Sequence, residues 1–96
     1  MSNKIINITI FKGLYMKKIF FENKKNICGD RIRLIRQINK MSQKELAIKM
    51  QIEGVIVEQD VISRIENGQR IVTDYELLAL SKIFNTSADW ILGIDS

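Results

Sequence analysis

"SQKELAIKMQIEGVIVEQDVISRIENGQR", residues 42–70, holds two runs with helix-like spacing of apolar residues, joined by a β-branched stretch. Ser42 opens a capping box. Its hydroxyl can accept from the backbone N–H of Glu45, and the Glu45 carboxylate can reach back to the N–H of Ser42, so a helix starts here. Leu46, Ala47 and Met50 form its inner face, and Ala47 is small enough to let another helix cross closely. Gly54 is placed to end that helix. "VIV" at 55–57 reads as extended, after which Ile62 and Ile65, at i and i+3, set the buried stripe of a second short helix ending at Asn67-Gly68. With those isoleucines inward, Gln59, Asp60, Ser63 and Arg64 face out.

The flanks continue the helical pattern. In "GDRIRLIRQINK", residues 29–40, Ile32, Ile35 and Ile38 fall at i, i+3 and i+6 and are expected inward, leaving Arg31, Arg33, Arg36 and Lys40 mostly outside. Leu34 is the odd apolar residue on the outer flank, a seat for the N-terminal arm. Downstream, Thr73 and Glu76 repeat the capping-box spacing, and Tyr75, Leu77, Leu78, Leu80, Ile83 and Phe84 are expected to supply most of a fourth helix's core. Ser87 can cap a last helix carrying Trp90, Ile91 and Ile94. Trp90 reads first as core and second as a dimer contact. Upstream, "IINITIFKGLYMKKIFF" at 5–21 has no helical period and is broken by Gly13. The expected division is therefore a weakly structured N-terminal arm, residues 1–28, and an all-α five-helix domain, residues 29–96. Met16 followed by Lys17 and Lys18 looks like a bacterial start, which leaves open whether residues 1–15 are translated natively or lie upstream of the true start.

The totals restrict the function. A chain of 96 residues, 46% of them hydrophobic, makes one small domain with its own core. No apolar run approaches the length of a membrane span. The opening apolar patch is interrupted by Asn7 and Thr9 and no small-residue cleavage site follows, so no signal peptide is expected. Cys28 is the single cysteine and there is no histidine, which leaves no internal disulfide, zinc site or thiol–imidazole pair. Cys28 reads as a half-buried thiol beside a helix start, and its solitude suits a reducing cytoplasm. With no metal-ligand cluster, no phosphate-cradling glycine loop and no nucleophile–base pair, neither catalysis nor a cofactor is expected. The net charge of +4 is unevenly spread: residues 1–29 carry +5, residues 30–50 carry +4 and residues 51–96 carry −5. The basic half could face a polyanion while the acidic half faces away.

A capped helix with a small residue at its crossing point, a joint, and a short helix with a polar outer face make the plan of a helix-turn-helix. The outward side chains are of the right chemistry for base edges: Gln bidentate to adenine, Arg bidentate to guanine, Asp to the cytosine amino group. "GDRIRLIRQ", "MSQKELAIKM", "VISRIENGQR" and "TSADWILG" together resemble the phage-repressor-type (Cro/Xre-like) helix-turn-helix family over about residues 29 to 94. The resemblance implies a compact, lambda-repressor-like five-helix domain. It implies that Gln43, after the capping serine, touches DNA, and that Gln59, Asp60 and Arg64 read bases; Ser63 is expected to read bases from its outward position. It implies a structural pair between Arg36 and Glu66, and a backbone-tracking loop at Asn67, Gly68 and Arg70; Lys44, which flanks the outward face of the third helix, is expected on a phosphate as well.

Two features depart from the family's pattern. The joint between the second and third helices is about five residues longer, with residues 51–55 as the surplus. A tight turn would fix the interhelical angle by itself; here Ala47, Met50, Ile62 and Ile65 must hold it, with Ile52 or Ile56 covering the gap and the second helix lengthened by a turn. Asp60 places an acid near phosphates, and the expected explanation is an i, i+4 pair that orients Arg64. The function implied is a sequence-specific regulator of transcription, a cytoplasmic repressor binding a palindromic double-stranded operator as a homodimer, without membrane association. An antitoxin or control protein of a toxin or restriction module is an alternative within DNA binding. A protein-interaction adaptor that does not bind DNA is the alternative from another class.

Overall fold

Both capping boxes form, and they set the starts of the two helices that frame the domain. In a computed structural model, which describes residues 24–94, Ser42 Oγ accepts from Glu45 N–H at 3.0 Å while Glu45 Oε1 accepts from Ser42 N–H at 2.7 Å. Thr73 and Glu76 exchange the same two bonds at 3.2 and 2.9 Å. Five helices follow in order: α1 (Gly29–Ile38), α2 (Gln43–Ile52), α3 (Gln59–Glu66), α4 (Asp74–Phe84) and α5 (Ala88–Leu92). Ser87 caps α5 by accepting from Trp90 N–H at 3.0 Å. Among the described residues there is no strand and no helix long and apolar enough to cross a membrane.

α2 packs against α3 and α4, α1 against α3 and α5, and α4 against α5, so α3 lies against both of the first two helices. The buried core is Ile32 of α1; Leu46, Ala47 and Met50 of α2; Val57; Ile62 and Ile65 of α3; Ala79, Leu80 and Phe84 of α4; and Ile91 of α5. Cys28 joins it, fully buried rather than half-buried, and burial pushes its thiol pKa up. Such a thiol is a small hydrophobe.

The differences from expectation fall at helix edges. Ile38 closes the i, i+3, i+6 series but is exposed, because α1 ends there and the chain turns away at Asn39 and Lys40. In α4 Tyr75 and Leu78 face out, while Ala79 takes a core position and Leu77 and Ile83 are partly covered. Ile94 is also exposed, one residue beyond the Gly93 that ends α5. Leu34 is exposed, and the arm expected to seat on it, residues 1–23, lies outside the described residues. Residues 24–28, read with that arm, are bound to the body. The Lys25 N–H donates to the Gly68 carbonyl at 2.7 Å, and Asn26 Nδ2 donates to the carbonyls of Ile65 and Arg70 at 2.9 and 2.8 Å.

The long joint resolves into two parts. α2 stops at Ile52, and Gly54 takes φ of +90° while its N–H bonds Gln51 and the Val55 N–H bonds Met50, the double closure of a Schellman motif. Residues 55–58 then run extended into α3. Of the five surplus residues only Gln51 and Ile52 are helical, less than the turn of about 3.6 residues expected. The gap is covered not by Ile52 or Ile56, which are 77% and 75% exposed, but by Val57, which is buried, and Val55, which is partly so. Alternation decides this: once Val55 is turned inward, Ile56 must point out and Val57 in.

Candidate nucleic-acid interface

α3 is anchored along one edge and bare along the other. Ile62 and Ile65 enter the core, and Glu66, at the last helical position, is buried with them. A buried carboxylate is costly unless its lone pairs are met. Here Arg36 meets them with a two-pronged approach, Nε to Oε2 at 2.6 Å and Nη2 to Oε1 at 2.9 Å. Gln43 Nε2 donates to Oε1 at 3.1 Å, and Arg33 Nε stands 3.6 Å from it. Burial alone would lift the Glu66 carboxyl, but the hydrogen bonds from Arg36 and Gln43, with the charges of Arg36 and Arg33, outweigh it and hold the group below its ordinary 4.5. The same bond pushes the Arg36 pKa up, so the pair is ionised throughout the usual range.

Glu66 therefore ties three elements together. The first residue of α2 (Gln43), the middle of α1 (Arg33 and Arg36) and the end of α3 meet on one carboxylate. Arg36 also donates from Nη1 to the Met41 carbonyl at 2.8 Å, holding the loop before α2. Arg33 bridges onward: its Nη2 donates to the Glu66 carbonyl at 3.2 Å and to Asn67 Oδ1 at 2.8 Å, which fixes the start of the loop after α3.

On the other edge of α3, Gln59, Asp60 and Arg64 are exposed and Ser63 is half-buried. The expected Asp60–Arg64 ion pair does not form. Ion pairs are seen at Glu66 and between Arg70 and Glu76, and none joins Asp60 to Arg64. Both Asp60 and Arg64 point into solvent, where such a pair gains only a few tenths of a kcal/mol against the entropy of two side chains. The three outward side chains thus stay available to a partner.

The residues expected on phosphates are placed differently from one another. Lys44 is exposed on the first turn of α2. Asn67 is exposed with its Oδ1 engaged by Arg33, leaving its amide hydrogens outward. Gly68 is buried, with φ of +77°, and completes a Schellman turn at the end of α3 through Gly68 N–H to Ile65 and Gln69 N–H to Arg64. Arg70 is already committed: it donates to both carboxylate oxygens of Glu76 at 3.0 and 3.1 Å and to its neighbour Ile71's carbonyl at 2.9 Å. Burial would raise the Glu76 carboxyl, but the Arg70 hydrogen bonds and the bond from the Thr73 backbone hold it below its ordinary 4.5. Arg70 thus shapes the loop from within.

Three contributors escaped the sequence reading. The helical pattern puts Arg33 among the outward arginines, yet its spacing of three from Arg36 places both over the end of α3. Asn26 caps α1 from two residues before the N-cap, its Oδ1 accepting from the N–H groups of Cys28 and Gly29 at 3.2 and 2.8 Å; an asparagine shortly before a helix start was the available signal. Gly29 marks the α1–α3 crossing: a Cβ there would lie 2.4 Å from the Ile65 carbonyl oxygen.

A short exposed helix, locked at one edge by a buried carboxylate and standing beside the capped start of α2, defines a helix-turn-helix domain of the repressor type. Residues 32–91 match the helix-turn-helix family model, and the chain belongs to that phage-repressor-type family. Among solved structures it is similar to the P22 c2 repressor in complex with a synthetic operator, with 33% identity over 73% of this chain and 98% of that one, and a TM-score of 0.58. No curated protein matches it. Family and fold are those of DNA-binding regulators rather than enzymes.

Proposed function

We propose that this protein is a sequence-specific repressor that binds a palindromic double-stranded DNA operator as a homodimer. In this reading α3 lies in the major groove, and Gln59, Asp60, Ser63 and Arg64 read base edges: Gln59 an adenine, Arg64 a guanine, Asp60 a cytosine amino group, Ser63 any of several. Gln43, at the start of α2, contacts DNA while its amide is braced on Glu66. Lys44, Asn67 and the backbone around Gly68 hold phosphates, and Arg70 supports that loop through Glu76 and reaches a phosphate with what remains of its guanidinium. The protein acts in the cytoplasm and needs no cofactor.

The observation that carries the reading is the contrast between the two edges of α3. One edge is held rigidly, by Ile62, Ile65 and the Glu66 network. On the other, Gln59, Asp60 and Arg64 are exposed and make no ion pair with one another. A rigid element with unspent, directional hydrogen-bonding side chains is what base reading requires.

Selection of bound duplexes from a random library tests it. The wild-type chain should enrich a defined sequence, Gln59→Ala and Arg64→Ala should each relax preference at one position per half-site, and Lys44→Ala should weaken binding without changing the preferred sequence. Unchanged preference in both α3 variants would remove α3 as the reader.

A further inference from the structure

Arg70 is the cation that the family's pattern puts on the loop after α3, and here it is committed to Glu76. Another cation stands at the same loop. Residues 24–28 lie across it as a strap. The Lys25 N–H donates to the Gly68 carbonyl at 2.7 Å, while Asn26 Nδ2 donates to the carbonyls of Ile65 and Arg70 at 2.9 and 2.8 Å, so the loop is held before, within and after its turn. Asn26 Oδ1, accepting from Cys28 and Gly29, fixes the same strap to the start of α1. The two lysines of the strap then go separate ways. Lys25 lines a groove with Val72, Leu77 of α4 and Leu92 of α5. Lys24 lines a different cleft, between the start of α1 and the end of α3, with Asn26, Gly29, Glu66 and Gly68. It lays its stem across Gly68: a Cβ on that glycine would lie 3.0, 3.3 and 3.4 Å from Lys24 Cδ, Cγ and Cβ. The residue is nonetheless exposed, with the stem on protein and the ammonium in water. Asp30 is exposed in the same cleft, yet among the described residues no ion pair joins it or any other acid to Lys24.

We propose, resting on the repressor reading, that Lys24 is a DNA-phosphate contact, set beside the loop after α3 by the strap of residues 24–28. It supplies at that loop the charge that Arg70 gives to Glu76. The stem fixes where the ammonium can be, since it lies on Gly68 and the nitrogen is two bonds beyond the Cδ that touches the loop. A lysine serves a phosphate as a point charge, needing proximity rather than a matched plane, and such a contact carries no sequence information. Asn26 is the positioning residue. Its two donor bonds hold the strap to Ile65 and Arg70, so the ammonium keeps its place relative to α3. Gly68 serves both sides of the arrangement: its φ of +77° turns the chain, and its missing side chain is the space that the Lys24 stem fills.

The test is a salt series of fluorescence anisotropy with the full-length chain, on the selected duplex and on a mixed-sequence duplex. Lys24→Met keeps an apolar stem over Gly68 and removes the charge, so the thermal melt should stay in place. Affinity should fall alike on both duplexes, by about fivefold at about 0.15 M salt for one lost contact, and the slope of log K against log salt should shrink by about one unit. Lys24→Arg should restore both. Lys25→Met removes the same charge one residue away, on the side facing α4 and α5, and should leave the slope near wild type. A slope lowered by Lys44→Ala but not by Lys24→Met overturns the strap contact and leaves α3 as a reader intact. Equal losses in Lys24→Met and Lys25→Met overturn it too, because they would report diffuse charge rather than a contact. A relaxed sequence preference in Lys24→Met would do the same by making it a base contact. A wild-type chain that binds neither duplex at low salt removes the repressor reading itself, and the Lys24 contact with it.

Discussion

Glu66 has the heaviest duty of any single side chain in the domain, and its energetics follow from burial. A carboxylate with no side-chain exposure, held by Arg36 at 2.6 and 2.9 Å, is stable only while its partner remains. Arg36→Ala should cost about 3–5 kcal/mol in a denaturant melt, most of it the penalty of an unpaired buried charge. Combined with Glu66→Gln in a double-mutant cycle, the two losses should fall well short of adding; additive losses would show that the bonds carry no coupling. The same side chain links stability to pH. Glu66 and Glu76 both have folded pKa values below their ordinary 4.5, so each contributes stability that is fully present above 4.5 and is lost as pH falls through the folded values. The melting temperature should therefore be flat from pH 7 to about 5 and drop below about 4.5, and Glu76→Gln should make that drop shallower.

At the level of elements, helix ends separate cleanly by what their backbone demands. α1, α2 and α3 all close in the same pattern, but the residue at the left-handed position is Lys40 with φ of +54° after α1 and glycine after the other two, Gly54 and Gly68. A side chain in that region carries a strain of about 1 kcal/mol that glycine does not. Lys40→Gly should thus raise stability by up to about 1 kcal/mol, while Gly54→Ala, whose Cβ would meet nothing within 4 Å, should lower it by about the same amount from backbone strain alone. Thermal melts of both variants decide, since equal signs would contradict the backbone account. Gly29→Ala fails for another reason: its Cβ would press to 2.4 Å of a backbone oxygen that cannot swing aside. It should force α1 off α3 and cost about 1–3 kcal/mol, despite alanine's better helix propensity.

Across the whole molecule, what could be read in the sequence was whatever depends on local chemistry. Ser42-Glu45 and Thr73-Glu76 declare helix starts because both partners of each bond lie within four residues, and the inward faces of α2 and α3 follow from spacing alone. The Glu66 network was legible only through the family resemblance, since Arg36 and Glu66 lie 30 residues apart in the chain. Asn26 and Arg33 were missed for the same reason: their partners, Ile65, Arg70 and Asn67, are near only after folding. The joint is not legible in this way, because periodicity cannot tell which of Ile52, Val55, Ile56 and Val57 turns inward once a glycine resets the chain direction.

The geometry of two copies on DNA supplies the test of the proposed function at the largest scale. If a two-fold dimer places one α3 in each of two successive major grooves, the selected site must be an inverted repeat whose half-site centres lie about 10–10.5 base pairs apart. Its salt dependence must report the phosphates held, with the slope of log K against log salt falling by about one unit when Lys44 is replaced by alanine. Arg70→Ala behaves differently on the present structure. Its guanidinium is spent chiefly on Glu76, so the variant should lose stability and loop order first, and its salt slope should change by less than that of Lys44→Ala. Sedimentation of the complex with a selected duplex should give two chains per site, against one chain per isolated half-site. A direct repeat, or a single half-site bound as tightly as the full one, would contradict the dimer. A salt slope moved equally by Lys44→Ala and Arg70→Ala would show instead that Arg70 leaves Glu76 for a phosphate when DNA arrives.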